Sequence, residues 1–144
     1  MRDRIGIVVP SHLKYLHFIG SVIEEIAQQV GFSGSEIDHI KQAVDEACTN
    51  VIKHAYEGRN DRHFCINCFI DEHGLEIVIR DRGKFFSPPK RKYPYMSDDL
   101  NSRPYGGLGI YLMKAFMDRV EFKRTAGGYN EVHMVKYLKR WKES

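Results

Sequence analysis

Apolar and polar positions alternate from Arg4 to Val9, with Ile5, Ile7 and Val9 on one face. That period of two is the pattern of a half-buried strand. Pro10 ends it, and Ser11 is placed to cap a helix. The period then lengthens. Leu13, Leu16, Ile19, Val22, Ile23, Ile26 and Val30 recur at three- and four-residue steps, so residues 13–30 read as an amphipathic helix stopped by Gly31. A second helix is expected from Ser35, with Asp38 as part of a capping box, to about Tyr56, ahead of Gly58. Its core stripe is Ile37, Ile40, Val44, Ala47, Cys48, Val51 and Ala55.

Residues 64–70 and 75–80 are strand-like, and Asp71-Glu72-His73-Gly74 joins them as a hairpin turn. Residues 87–105 hold four of the five prolines, Lys90-Arg91-Lys92 and Asp98-Asp99, without periodicity, and read as a long functional loop. Gly106-Gly107-Leu108-Gly109 opens a helix with Leu112, Met113, Phe116, Met117 and Val120 on its apolar side. Strands at 120–123 and about 131–138 follow, joined through Gly127-Gly128. Grouped strands with few βαβ units predict an α+β two-layer sandwich. The expected form is one mixed, mostly antiparallel sheet, covered on one face by about three helices, in a single domain over residues 1–144.

Composition narrows the picture. Hydrophobic residues make up 42% of the 144 and charged residues 28%, a globular balance. No apolar run reaches the roughly 18 residues of a membrane span, and the N-terminus is too weakly apolar for a signal peptide. The net charge of +3 demands no nucleic-acid partner. Cys48, Cys65 and Cys68 are an odd set that makes no disulfide framework, which fits a reducing cytoplasm. Cys65 and Cys68 lie three apart on a strand and so face opposite sides, poor geometry for zinc or redox work. The basic tail with Trp141 reads as a frayed end.

Three motifs carry chemistry. On the second helix, Glu46, Asn50 and His54 fall at about 200°, 240° and 280° from Val44 when each residue advances about 100°. They form one polar stripe at the border of the core stripe. Next, a strand delivers Asp81 at its carboxyl end with Gly83 two residues later, and glycine permits close approach by another group. Finally, glycines at a helix N-terminus leave N–H groups and a positive dipole end for phosphate. No Gly-Lys-Ser/Thr follows, so this is not a Walker loop, and no strand precedes it, so it is not a dinucleotide fingerprint.

In this order and spacing, from about Ser35 to Lys136, the three motifs resemble the Bergerat-fold ATP-binding domain shared by gyrases, chaperones, histidine kinases and mismatch-repair proteins. Within that superfamily the chain is similar to the bacterial anti-sigma factors that are serine protein kinases. Ala43 to Tyr56 follows A-x-x-E-A-x-x-N-x-x-x-H-A-Y, and Gly106 to Val120 follows G-G-x-G-x-x-L-M-x-x-x-M-D-x-V, with Phe116 just before Met117. Sensor histidine kinases usually have His where Glu46 stands. Two positions depart from the family pattern: Phe85 replaces the second glycine of D-x-G-x-G-F, and Asn130-Glu131 replaces a Gly-Thr pair.

The resemblance implies the remaining assignments. Asn50 would offer its side-chain oxygen to Mg²⁺, and Glu46 would accept the proton of the attacking hydroxyl. Asp81 would read the exocyclic amine of adenine, with Gly83 admitting the purine edge. Gly107, Leu108 and Gly109 would present N–H groups to phosphates, and Lys53, His54 and Arg103 would add charge there. Residues 87–105 would be the ATP lid. The implied protein is a cytoplasmic, homodimeric serine/threonine kinase that phosphorylates an anti-anti-sigma antagonist and sequesters a sigma factor, contacting neither nucleic acid nor membrane. The alternative is a non-catalytic ATP-binding module that uses nucleotide to choose protein partners.

Overall fold

The computed structural model describes residues 2–85 and 107–142. Five strands form one sheet in the order β1-β2-β3-β5-β4: β1 Asp3–Pro10, β2 His63–Asp71, β3 Gly74–Asp81, β4 Arg119–Arg124 and β5 Asn130–Tyr137. Every pairing among the described residues is antiparallel.

Register explains the core. Ile7, Ile66, Ile79, Val132 and Phe122 pair in one row across all five strands, and Ile5, Cys68, Ile77, Met134 and Val120 in the next. Opposite residues share a face, so these rows make one apolar surface. Helices α1 (Leu16–Val30), α2 (Gly34–Asn50) and α3 (Gly107–Phe116) cover it, burying Ile19, Ile23, Ile40, Val44, Ile110 and Met113 against it. The other face carries an Arg80–Glu131 ion pair across β3 and β5, with His133 set against Glu76 of β3 and Glu131 of its own strand.

Local chemistry sets the element ends, in places differently from expectation. Leu13–Tyr15 is a single 3₁₀ turn before α1, and His12, not Ser11, accepts the capping bond from the Lys14 N–H. Ser11 is buried instead. Its hydroxyl donates to the Arg59 carbonyl (2.7 Å) and accepts from the Arg62 N–H (3.2 Å), tying β1 to the loop before β2. Gly31 ends α1 at φ 105°, a left-handed conformation that glycine takes at little cost. The second helix starts one residue earlier than Ser35. Ser33 is its cap, and Glu36 closes a full capping box that Asp38 does not make.

The helix does extend toward Tyr56, but Val51–Ala55 is wound as a π turn, with the Tyr56 N–H donating to the Val51 carbonyl (2.9 Å). The tail is not frayed: Lys139–Lys142 form a short helix α4, and Trp141 packs on His73 with ring centroids 3.8 Å apart. Cys65 is half-buried and Cys68 buried, as opposite strand faces require, and no metal-binding cluster occurs among the described residues.

Candidate active site

Helix carbonyls in the last turn have no partner inside the helix. At the end of the π turn, the Ala55 carbonyl finds one in the Lys84 N–H, at 2.8 Å. This bond joins the second helix to the turn that leaves β3. It also gives Gly83 a structural reason: a Cβ there would land on the Ala55 carbonyl and stand 2.9 Å from the Ala55 Cβ. The close approach that the sequence promised is therefore made by the protein's own backbone. Tyr56 braces the same junction. Its buried hydroxyl donates to the His63 carbonyl (2.6 Å) and accepts from the Arg82 N–H (2.9 Å).

Above this junction lies a cleft of about 480 Å³, counting its open mouth. Its floor is the end of an apolar row, Ile79, Val132 and Phe122, and its wall is Ala47, Val51 and Met113. Asn50 enters from α2 and Asp81 from the end of β3, so two of the three motifs line one cavity.

Asp81 is 6% exposed. Its Oδ1 accepts from the Gly83 N–H (2.7 Å) and from Asn130 Nδ2 (2.8 Å), and among the described residues both bonds fall on that oxygen. Burial pushes the carboxyl above its ordinary value, while the bonds from Asn130 and Gly83, and the charge of Arg124, pull it back.

Glu46 sits one turn before Asn50, beside the cleft rather than in its lining, and takes a bond from Gln42 Nε2 at 3.1 Å. Its carboxylate lies against the first turn of α3: a Cβ at Gly109 would stand 2.8 Å from Glu46 Oε2. The third motif thus meets the first directly, with a helix N-terminus, the end that favours negative charge, beside a carboxylate. Gly109 is buried, Leu108 is 52% exposed, and Gly107 begins the helix.

Lys53 is exposed and His54 half-buried, and neither lines the cleft. Burial, then the adjacent Lys53 ammonium, hold His54 below its ordinary value, which biases it toward the neutral imidazole. Arg103 and the expected lid over residues 87–105 lie outside the described residues.

Four further polar side chains line the cleft beyond the expected site residues: Lys84, Lys123, Asn130 and Glu131. Asn130 bonds Asp81 directly. Its only signal in the sequence is that it stands where the resemblance expects Gly-Thr.

Comparisons with known proteins place the chain in a family. The histidine kinase-like ATPase domain matches residues 9–136, and the chain belongs to that family. Its curated relatives include proteins named serine-protein kinase RsbW. The one from Bacillus pumilus is 33% identical over 96% of this chain and 88% of its own length. Those from Bacillus subtilis and Listeria monocytogenes are each 34% identical, over 94% and 96% of this chain and 86% and 89% of their own lengths. Among solved structures, the RsbU and RsbW domains of a Mycobacterium tuberculosis protein align over 94% of this chain with a TM-score of 0.65. That alignment covers 32% of the longer protein at 14% identity, and it speaks for the fold alone.

Proposed function

We propose that this chain is an anti-sigma factor that sequesters a sigma factor and phosphorylates the antagonist protein that would release it. It is a serine/threonine protein kinase and uses ATP, in keeping with its family and its RsbW relatives. The observation that carries the reading is the placement of Asn50 and Asp81 in one cleft between the second helix and the sheet, with the first turn of α3 against Glu46, one turn before Asn50.

Each residue has a task in this reading. Asp81 accepts the adenine amine, and the apolar row Ile79, Val132 and Phe122 supports the purine ring. Asn50 fits Mg²⁺, a hard cation that prefers oxygen and keeps most of its other ligands as water and phosphate. Asn50 lines the cleft from the end of α2, and Glu46 stands one turn before it on the same helix. Asn50 would hold the ion where it would supply charge neutralisation at the phosphates. Gly107, Leu108 and Gly109 present backbone N–H groups to the phosphates. Glu46 takes the proton of the attacking serine hydroxyl. Lys53, His54 and Arg103 add charge at the phosphate end, His54 least of them because its imidazole is held neutral.

No helix among the described residues is long and apolar enough to cross a membrane, and the protein acts in the cytoplasm on protein partners. It forms a twofold dimer through β1, an edge strand with Ile5 and Val8 exposed. Such an edge with apolar side chains invites pairing. Residues 1–144 act as one ATP-binding unit, with 87–105 as its lid.

A competition experiment tests the partner switch. Labelled sigma factor bound to this protein should be displaced by the unphosphorylated antagonist, and not by the antagonist carrying phosphoserine. Equal displacement by both forms would refute it.

A further inference from the structure

Asp81, Asn130 and Arg124 stand in one cross-strand row, paired in register across β3, β5 and β4. The row lies immediately beyond the apolar row Ile79, Val132 and Phe122 that floors the cleft, and it is polar throughout. Its bonds run in one direction. Arg124 Nη1 donates to Asn130 Oδ1 at 2.9 Å. A guanidinium only donates, so the oxygen of the Asn130 amide must face it and the nitrogen must face away. The nitrogen then donates to Asp81 Oδ1 (2.8 Å), and also meets the carbonyls of Gly83 (3.1 Å) and Lys84 (3.3 Å). At the outer end, the Arg124 guanidinium lies 5.2 Å from the ring centroid of Phe85, within cation–π range. Thus Phe85 and Asn130, residues at the two places where the chain departs from the family pattern, are connected through one arginine.

We propose that Arg124 and Asn130 are positioning residues that hold Asp81 with one oxygen committed and the other presented to the cleft, so that they set its selectivity for the adenine amine. This deepens the reading of Asp81 as the base-recognising carboxylate and rests on it. Oδ1 is occupied by Asn130 and Gly83, which leaves Oδ2 as the acceptor for a ligand. Guanine presents a carbonyl where adenine presents its amine, and a carboxylate held this way repels it. Charge acts through the same row. The Arg124 charge acts on Asp81, Lys84 and Lys123 line the cleft, Glu131 lies beside Asn130, and Tyr56 and Asp81 interact across the helix end. The Asn130 bond and the Arg124 charge both oppose the burial that favours a protonated Asp81.

The test is calorimetric titration of the full chain with Mg²⁺-ATP and with Mg²⁺-GTP, between about pH 5 and 8, for Asn130→Ala, Arg124→Gln and the double variant. Asn130→Ala should weaken ATP about tenfold, the scale of one hydrogen bond to a charged group, with little change for GTP. Arg124→Gln should weaken ATP by about threefold, and the double variant should be no weaker than Asn130→Ala, because Arg124 acts through Asn130. In Asn130→Ala the acid limb of ATP affinity should move to higher pH, since a carboxylate that loses a donor protonates more easily. Additive losses, or an unchanged acid limb together with an unchanged ATP-to-GTP ratio, overturn the proposal.

If Asn130→Ala does not fold, Arg124→Gln, an exposed substitution, decides. Its acid limb must move the same way, and an unmoved limb overturns the proposal. Asp81→Asn separates the two levels. If it leaves ATP affinity intact, base recognition by Asp81 fails and the relay with it. If it weakens ATP while Asn130→Ala does not, the relay alone fails.

Discussion

Replacing Asp81 by Asn should separate stability from nucleotide affinity. In the folded protein Oδ1 accepts two bonds, from Gly83 and Asn130. An asparagine oxygen can accept both, so the turn after β3 keeps its anchor. The amide nitrogen then takes the place of Oδ2 and points a donor at the adenine amine, itself a donor. The loss is one hydrogen bond to a charged acceptor, about 1.5–3 kcal/mol, or roughly 10- to 150-fold in affinity.

Stability should move the other way. Burial raises the Asp81 carboxyl above its unfolded value. A group that binds its proton more tightly when folded stabilises the fold as pH falls through that window and costs stability above it. At neutral pH the ionised carboxylate is therefore a liability to the fold, which a neutral amide removes. Thermal unfolding of Asp81→Asn at pH 7 should be no lower than wild type, and ATP titration should show the loss. Full ATP affinity in a folded variant would refute the assignment, and a steep fall in unfolding temperature would refute the stability argument.

Other expectations follow from the same geometry. Glu46→Gln should lower phosphoryl transfer by about 10²–10⁴-fold while ATP and sigma-factor binding persist, and activity within a few-fold of wild type would remove Glu46 as the base. Asn50→Ala should abolish the metal dependence of nucleotide binding in titrations with and without Mg²⁺, whereas an undiminished Mg²⁺ effect would assign the metal elsewhere. Val8→Lys places a charge at a residue that is 68% exposed on the edge strand. Light scattering should show a dimer for wild type at tens of micromolar and a monomer for the variant, and identical masses would place the interface off β1.

What the sequence disclosed depended on the range of the interaction. Gly31 was readable as a helix stop because only glycine sits easily at φ 105°. The strand pairs were readable because alternation marks the buried face, and the apolar rows confirm it. Ser11 misled because a buried serine that serves two backbone groups has the same local sequence as a capping serine. Ser33 was passed over in favour of Ser35, since both precede an acidic residue three positions on, and only the backbone at Ser33 decides.

The π turn at Val51–Ala55 leaves the apolar spacing almost unaltered over five residues, so periodicity does not register it. Gly83 was recognised as a close-approach glycine, but its neighbour, Ala55, is 28 positions away in sequence. Asn130 lies further still from Asp81, and its bond exists only through the β3–β5 register. The site's helix and strand motifs were thus legible as local patterns, while the contacts that fix their geometry were not.

The central claim is that this cleft delivers the γ-phosphate of ATP to a serine of another protein. The direct measurement is incubation of the wild-type chain with γ-labelled ATP, Mg²⁺ and a verified antagonist, with the modified residue located by mass spectrometry. The account predicts label on one antagonist serine, lost with Glu46→Gln under conditions where ATP still binds. Tight ATP binding without any transfer by the wild-type protein would contradict it, and would leave a module that uses nucleotide only to choose its partners.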